Sequence, residues 1–183
     1  MCIRDRLHRR LNALVKKIEE DCQIVLVDDG STDTTSSLVE QIALTDPKYN
    51  CIFLSRNFGH QRALSAGLDF AKGEFVMVMD GDLQDPPELF FEFRQQMENG
   101  YDIAYGVRKK RKEGILKRVA YKVFYRILKR IGDYPIPPDS GDFAMLNRKA
   151  LNVLVKMREE NRFLRGMRSW IGFKQIGVEY AVS

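Results

Sequence analysis

Leu7, Leu11, Leu14, Val15 and Ile18 recur three or four positions apart, which predicts an amphipathic helix over residues 6–20. Beyond it the period changes. Residues 23–27, 51–54, 75–79 and 102–105 are short apolar runs of strand length. Between them lie polar turns and segments with helical spacing. One helix is predicted from the N-cap candidates Ser31, Thr32 and Asp33 to about Leu44. A second carries Leu64, Leu68 and Ala71, and a third starts at Pro86-Pro87, where proline is tolerated in a first turn. Strands alternating with helices predict a parallel α/β sheet with right-handed crossovers. Because the runs are almost continuously apolar, both sheet faces should be covered. After Gly106 the pattern becomes a basic loop, a long helix over residues 115–131 and a proline-rich turn over 132–139.

With 183 residues, 44% hydrophobic and 30% charged, the chain has enough material for one domain with a sizeable core, which excludes wholesale disorder. No apolar run approaches the roughly 20 residues of a membrane span. The opening MCIRDRLHRRL lacks the apolar stretch of a secretory signal. Cys2, Cys22 and Cys51 are far apart and odd in number, so neither a disulfide framework nor a zinc site is implied and a reducing compartment fits best. Charge changes the picture more. Residues 108–130 hold eleven Lys/Arg against one acid, Glu113, a local +10 within a chain of net +5, so the remainder sums to −5. Basicity that local calls for a local anionic partner. Nucleic acid is disfavoured, because the few aromatics of this stretch, Tyr121, Phe124 and Tyr125, fall within the predicted helix rather than along an open single-strand platform.

In an open parallel sheet, ligands bind beyond the carboxyl ends of the strands. Asp28-Asp29-Gly30-Ser31 and Asp80-Gly81-Asp82-Leu83-Gln84-Asp85 both fall there, 52 residues apart. Either alone is explained by a helix-capping turn; two on one rim favour a ligand site. On an extended path alternate residues share a side, so Asp80, Asp82 and Gln84 should converge. Their hard oxygens suit Mg²⁺ or Mn²⁺ with positions left for phosphate. An EF-hand register fails, since its sixth position is Asp85 and its twelfth Phe91. No glycine-rich dinucleotide fingerprint or P-loop is present, so a metal is the natural way to manage phosphate charge. The carboxylates of Asp28 and Asp29 suit base N–H groups or ribose hydroxyls.

VDDGSTD (27–33), RNFGHQ (56–61), DGDLQDPPE (80–88), SGDF (140–143) and RFLRG (162–166) occur in that order. Over about residues 7–180 the chain resembles family 2 glycosyltransferases of the GT-A fold, specifically the polyprenyl-phosphate glycosyltransferases. The resemblance implies a three-layer α/β sandwich with a mostly parallel sheet whose first strand is missing. It implies one catalytic domain: an unmatched leader (1–6), a nucleotide-binding half (7–106) and an acceptor-binding half (107–183). By position, Val27, Asp28, Asp29, Arg56, Asp80, Gly81 and Asp82 correspond to nucleotide-sugar contacts. Asp80, Asp82 and Gln84 correspond to the site for Mg²⁺ or Mn²⁺. Arg108 and Asp142 fall at catalytic positions, and Arg108, Arg118, Lys122 and Arg165 at acceptor-phosphate positions.

The implied reaction is inverting transfer from a UDP- or GDP-linked sugar to undecaprenyl or dolichyl phosphate at the cytoplasmic face of a membrane. Its partners would be the two substrates, an anionic membrane surface reached through the basic stretch, and a second copy in a longer protein carrying C-terminal membrane helices. Two alternatives stay open: a family 2 transferase acting on a saccharide, which needs a true general base, and a non-catalytic nucleotide-sugar-binding fragment. The absence of Gln-x-x-Arg-Trp counts against the processive branch. His60 reads as a cap or packing residue, and Trp170 and Phe173 as core.

Overall fold

The computed structural model describes residues 3–109, 140–157, 159 and 162–181. The helix expected over 115–131 and the phosphate contacts expected of Arg118 and Lys122 lie outside the described residues.

Helix α1 runs Ile3–Val15, earlier than its apolar stripe predicts. Leu11 and Leu14 are buried, but Lys17 and Ile18 donate to carbonyls three residues back, so the helix tightens and stops before Ile18. Strand β1 (Ile24–Asp28), helix α2 (Thr35–Thr45), strand β2 (Tyr49–Phe53), helix α3 (His60–Phe70) and strand β3 (Phe75–Val78) follow as the alternating pattern requires. A single 3₁₀ turn at Pro87–Leu89 leads into α4 (Phe90–Glu98) and β4 (Ile103–Arg108). Two strands were not foreseen, β5 (Ser140–Asn147) and β6 (Gln175–Tyr180). Between them lie α5 (Arg148–Lys156) and α6 (Leu164–Trp170). Asn147 caps α5 by accepting from the Ala150 amide at 2.9 Å.

Strands β1 and β2 pair in parallel, as do β4 and β6, while β5 is antiparallel to both β3 and β4. The order is β1-β2 in one sheet and β3-β5-β4-β6 in the other. Insertion of β5 separates β3 from β4, which are consecutive in sequence.

Alternation along β4 and β5 builds two cores. Ile103, Ala144 and Leu146 face Leu68, Leu151, Leu154, Leu164 and Met167. Ala104, Phe143 and Met145 join Leu89, Phe93, Met97 and Tyr180. Helices therefore cover both faces, which is why the strands carry so few polar residues. Phe173 packs against the first core as expected. Trp170 does not: it is 53% exposed at the end of α6, where the buried face of that short helix is already filled by Leu164, Met167 and Arg168. Among the described residues no helix is long and apolar enough to cross a membrane.

Candidate functional site

The site is organised by the segment between β2 and α3. At the end of β1 the Asp29 carboxylate accepts the backbone N–H groups of Phe58 (2.7 Å) and Gly59 (2.9 Å). The two loops approach so closely that a Cβ on Gly30 would lie 2.3 Å from the Arg56 carbonyl carbon, and Gly30 also has φ +67°. Gly30→Ala is therefore expected to cost about 2 kcal/mol, from left-handed strain plus overpacking, read as a lower urea midpoint. Asp28 is only 5% exposed, and its carboxylate accepts from the Ser31 and Ser36 hydroxyls, which brace the start of α2. Val27 is partly buried against Gly67 of α3. Arg56 is exposed, with its guanidinium 4.1 Å above the Phe58 ring.

The other end of that segment reaches the second acidic loop. His60, the first residue of α3, is 51% exposed and is no packing residue. Its Nε2 lies 3.5 Å from Asp80 Oδ1 and 3.4 Å from Asp142 Oδ2. Asp142 arrives there through β5. The antiparallel register runs from Phe75↔Asn147 to Val78↔Ala144. Continued two residues past the last pair, it sets Asp80 opposite Asp142. On Asp142, Oδ2 also accepts from Gln61 Nε2 at 2.8 Å and lies 4.0 Å from Arg165 Nη2. Gln61 Oε1 in turn accepts from the Leu164 backbone N–H at 2.9 Å, tying α6 to the same point.

The loop after β3 does not take the extended path expected of it. It turns at Leu83, whose φ of 65° is unusual for a branched side chain. Burial of that side chain offsets the conformational cost of about 1–2 kcal/mol. Asp82 and Gly81 are exposed, and Asp82 Oδ1 accepts the Gln84 amide at 3.0 Å. Gln84 Oε1 accepts from Arg108 Nη1 at 3.3 Å. Arg108 further donates through Nε to the Tyr180 hydroxyl (3.0 Å) and through Nη2 to Asp85 (3.0 Å). Of the five guanidinium N–H donors, three are thus engaged among the described residues, which leaves two that could meet a ligand.

The donor set suits a hard cation. Burial raises the Asp80 pKa, and Asp85, Asp82 and Asp142 push it the same way, with His60 acting against them. A carboxylate destabilised by desolvation and like charge gains most from a bound cation. Among the described residues no three His, Cys, Asp or Glu groups gather closely enough to hold a metal by themselves. Asp80 and Asp82 would supply part of a coordination shell and phosphate oxygens the rest. The sequence pointed to Asp80, Asp82, Arg108, Asp142 and Arg165, but not to His60, which reaches Asp80 and Asp142, or to Gln61, which ties Asp142 to α6. It placed Asp85 in the second acidic loop but did not indicate that Asp85, with Tyr180, anchors that loop.

The family profile described as Glycosyl transferase family 2 matches residues 3–155. An uncharacterised glycosyltransferase of Bacillus subtilis, YkcC, is 42% identical over 94% of this chain and 54% of its own length. A prophage bactoprenol glucosyl transferase homologue of Escherichia coli is 36% identical over 91% of this chain and 56% of its own. The chain thus spans about half the length of the curated relatives it matches. Among solved structures, a mannosyltransferase of Pyrobaculum calidifontis in complex with GDP-Man and Mn²⁺ is similar at TM-score 0.62 and 19% identity. That likeness covers 98% of this chain and 52% of that one, and it shows the shared fold, the expected GT-A arrangement.

Proposed function

Because the chain belongs to glycosyl transferase family 2, we propose that its site transfers a hexosyl group from a nucleoside-diphosphate sugar to a polyprenyl phosphate, with inversion at the anomeric carbon. The observation that carries this reading is the meeting of Asp80, His60, Asp142 and Arg165 at one place, beside a loop joined to Asp29. The bactoprenol glucosyl transferase homologue supports the lipid phosphate as acceptor.

Val27, Asp28, Asp29 and Arg56 line the nucleotide end, with Asp28 bracing the loop. Asp80 and Asp82, with Gly81 between them, face the diphosphate, and Gln84 stands beside them. These residues would hold a divalent ion, Mg²⁺ or Mn²⁺, which supplies charge neutralisation for the departing diphosphate. The complex of the Pyrobaculum calidifontis mannosyltransferase with Mn²⁺ supports that assignment. Arg108, with two donors unengaged among the described residues, and Arg165 attract the acceptor phosphate, as do Arg118 and Lys122 in the basic stretch. That stretch also suits an anionic membrane surface.

A phosphate monoester has a second pKa of about 6 and is mostly dianionic at neutral pH. Such a nucleophile needs little help from a base. Asp142 is therefore assigned to orienting the reacting groups, its Oδ2 held by Gln61. The test is a screen of UDP- and GDP-sugars against undecaprenyl phosphate with Mg²⁺ or Mn²⁺, following sugar incorporated into lipid. Transfer is expected from at least one donor, and Asp142→Asn should lower its rate at least tenfold, a small share of what well-placed groups contribute. Donor binding without transfer to any lipid phosphate would sink the proposal.

A further inference from the structure

Arg168 on α6 is only 3% exposed, the one cation in that state among the described residues. A buried guanidinium is usually met by a carboxylate in a two-pronged pair. Here Nη1 makes a long 3.4 Å contact to the Gly141 carbonyl, and the group sits 4.8 Å over the Tyr105 ring. Its Nε and Nη2 are buried with no partner among the described residues. Burial lowers its pKa to about 10, and the charge of Asp142 is the largest opposing influence.

Asp142 presents the complementary anomaly. Gln61, His60 and Arg165 all approach Oδ2, whereas Oδ1 is buried without a hydrogen-bond partner among the described residues. Asp142, Arg165 and Arg168 line one cavity of about 20 Å³, walled by Leu68, Val78 and Ala144 among others. That is room for about one water molecule, in a place where unpartnered donors and an acceptor meet. A carboxylate held at one oxygen turns easily about its broad terminal torsion. Something must hold the other side if the group is to orient a substrate.

We propose that Arg168 is a positioning residue for the transfer reaction: its charge, acting across the small cavity that both side chains line, orients the Asp142 carboxylate, and its Nη1 holds the Gly141 carbonyl, without touching substrate. This rests on the transfer reading above. Structural need does not explain the arrangement, since a buried guanidinium whose Nε and Nη2 have no partner among the described residues carries a desolvation cost that no hydrogen bond offsets.

The test uses the full chain with Arg168→Met, Arg168→Lys and Asp142→Asn, assayed with the productive donor and undecaprenyl phosphate. Arg168→Met is expected to lower kcat on the order of 10²-fold, the effect of displacing a positioned group. Donor KM and the melting temperature should hold, and Arg168→Lys should restore part of the rate. Combined with Asp142→Asn, Arg168→Met should lower kcat no further, because both act through one group. Unchanged kcat in Arg168→Met, a matching fall in melting temperature, or independent losses in the double variant would each overturn the inference while transfer by the wild type stands. A wild type that transfers no sugar would overturn the reading of function, and this inference with it.

Discussion

Asp82→Ala is expected to lower sugar transfer about 10³-fold while leaving the protein folded. Asp82 is exposed, and its one described hydrogen bond is an Asx-type contact to the Gln84 amide. Losing that contact costs about 1 kcal/mol of stability. Its proposed chemical contribution is larger. Stabilising charge on a departing diphosphate through a bound divalent ion is worth several kcal/mol, and each 1.4 kcal/mol is about tenfold in rate. The neighbouring Asp80 cannot replace it, because its own carboxylate is already assigned to the same ion. Initial rates over a Mg²⁺ or Mn²⁺ titration provide the measurement. Near-wild-type turnover in Asp82→Ala, or wild-type turnover that persists in excess chelator, would refute the metal assignment.

The parts of the fold that follow local patterns were legible in the sequence. Strands β1, β2 and β3 emerged within about two residues of their observed bounds, and helix α3 was placed by Leu64 and Leu68, because apolar runs and turn residues set them without long-range help. The first helix was misplaced because its stripe continues to Ile18 after the backbone has left the helix. Strand β5 was read only as the SGDF motif, since its start is polar. Strand β6 offered a usable signal in Ile176, Val178 and Tyr180, which alternate with Gln175, Gly177 and Glu179.

The site divides in the same way. Acidic loops at strand ends are local features, so Asp29, Asp80 and Asp82 could be found. The apposition of Asp80 and Asp142 depends on the antiparallel register of β3 with β5, which no local pattern encodes. A single histidine has no period and no spacing. The place of His60 between two carboxylates becomes visible only once α3 is set against β3 and β5. The extended path imagined for residues 80–84 failed for a physical reason as well. Burying Leu83 bends the loop, and a left-handed leucine is not something a sequence pattern suggests.

Asp85→Ala should destabilise the protein by about 3 kcal/mol, the largest stability loss expected of any single substitution considered. Asp85 is only 2% exposed and accepts from Arg108 Nη2 and the Tyr180 hydroxyl. Arg108 and Tyr180 are themselves paired across β4 and β6, so one carboxylate fastens the second acidic loop to the ends of both strands. Burial, followed by the bond to Asp85, pushes the Tyr180 pKa up to about 12, which keeps the phenol protonated and donating. Breaking a buried ion pair by removing one partner costs about 3–5 kcal/mol. The Arg108 side chain is 40% exposed and can rehydrate, which favours the lower end. Tyr180→Phe, which removes one neutral donor, should cost about 1 kcal/mol. The double variant should lose less than both together, since the two share a partner. The phenol's contribution has a definite pH sign: its pKa is raised on folding, so the stabilisation is complete below about 10 and disappears as pH rises toward 12. Urea unfolding at neutral and alkaline pH reads all three quantities. An Asp85→Ala protein within about 1 kcal/mol of wild type, the scale of one ordinary hydrogen bond, would mean that the loop carrying Asp80 and Asp82 is held by something other than this carboxylate.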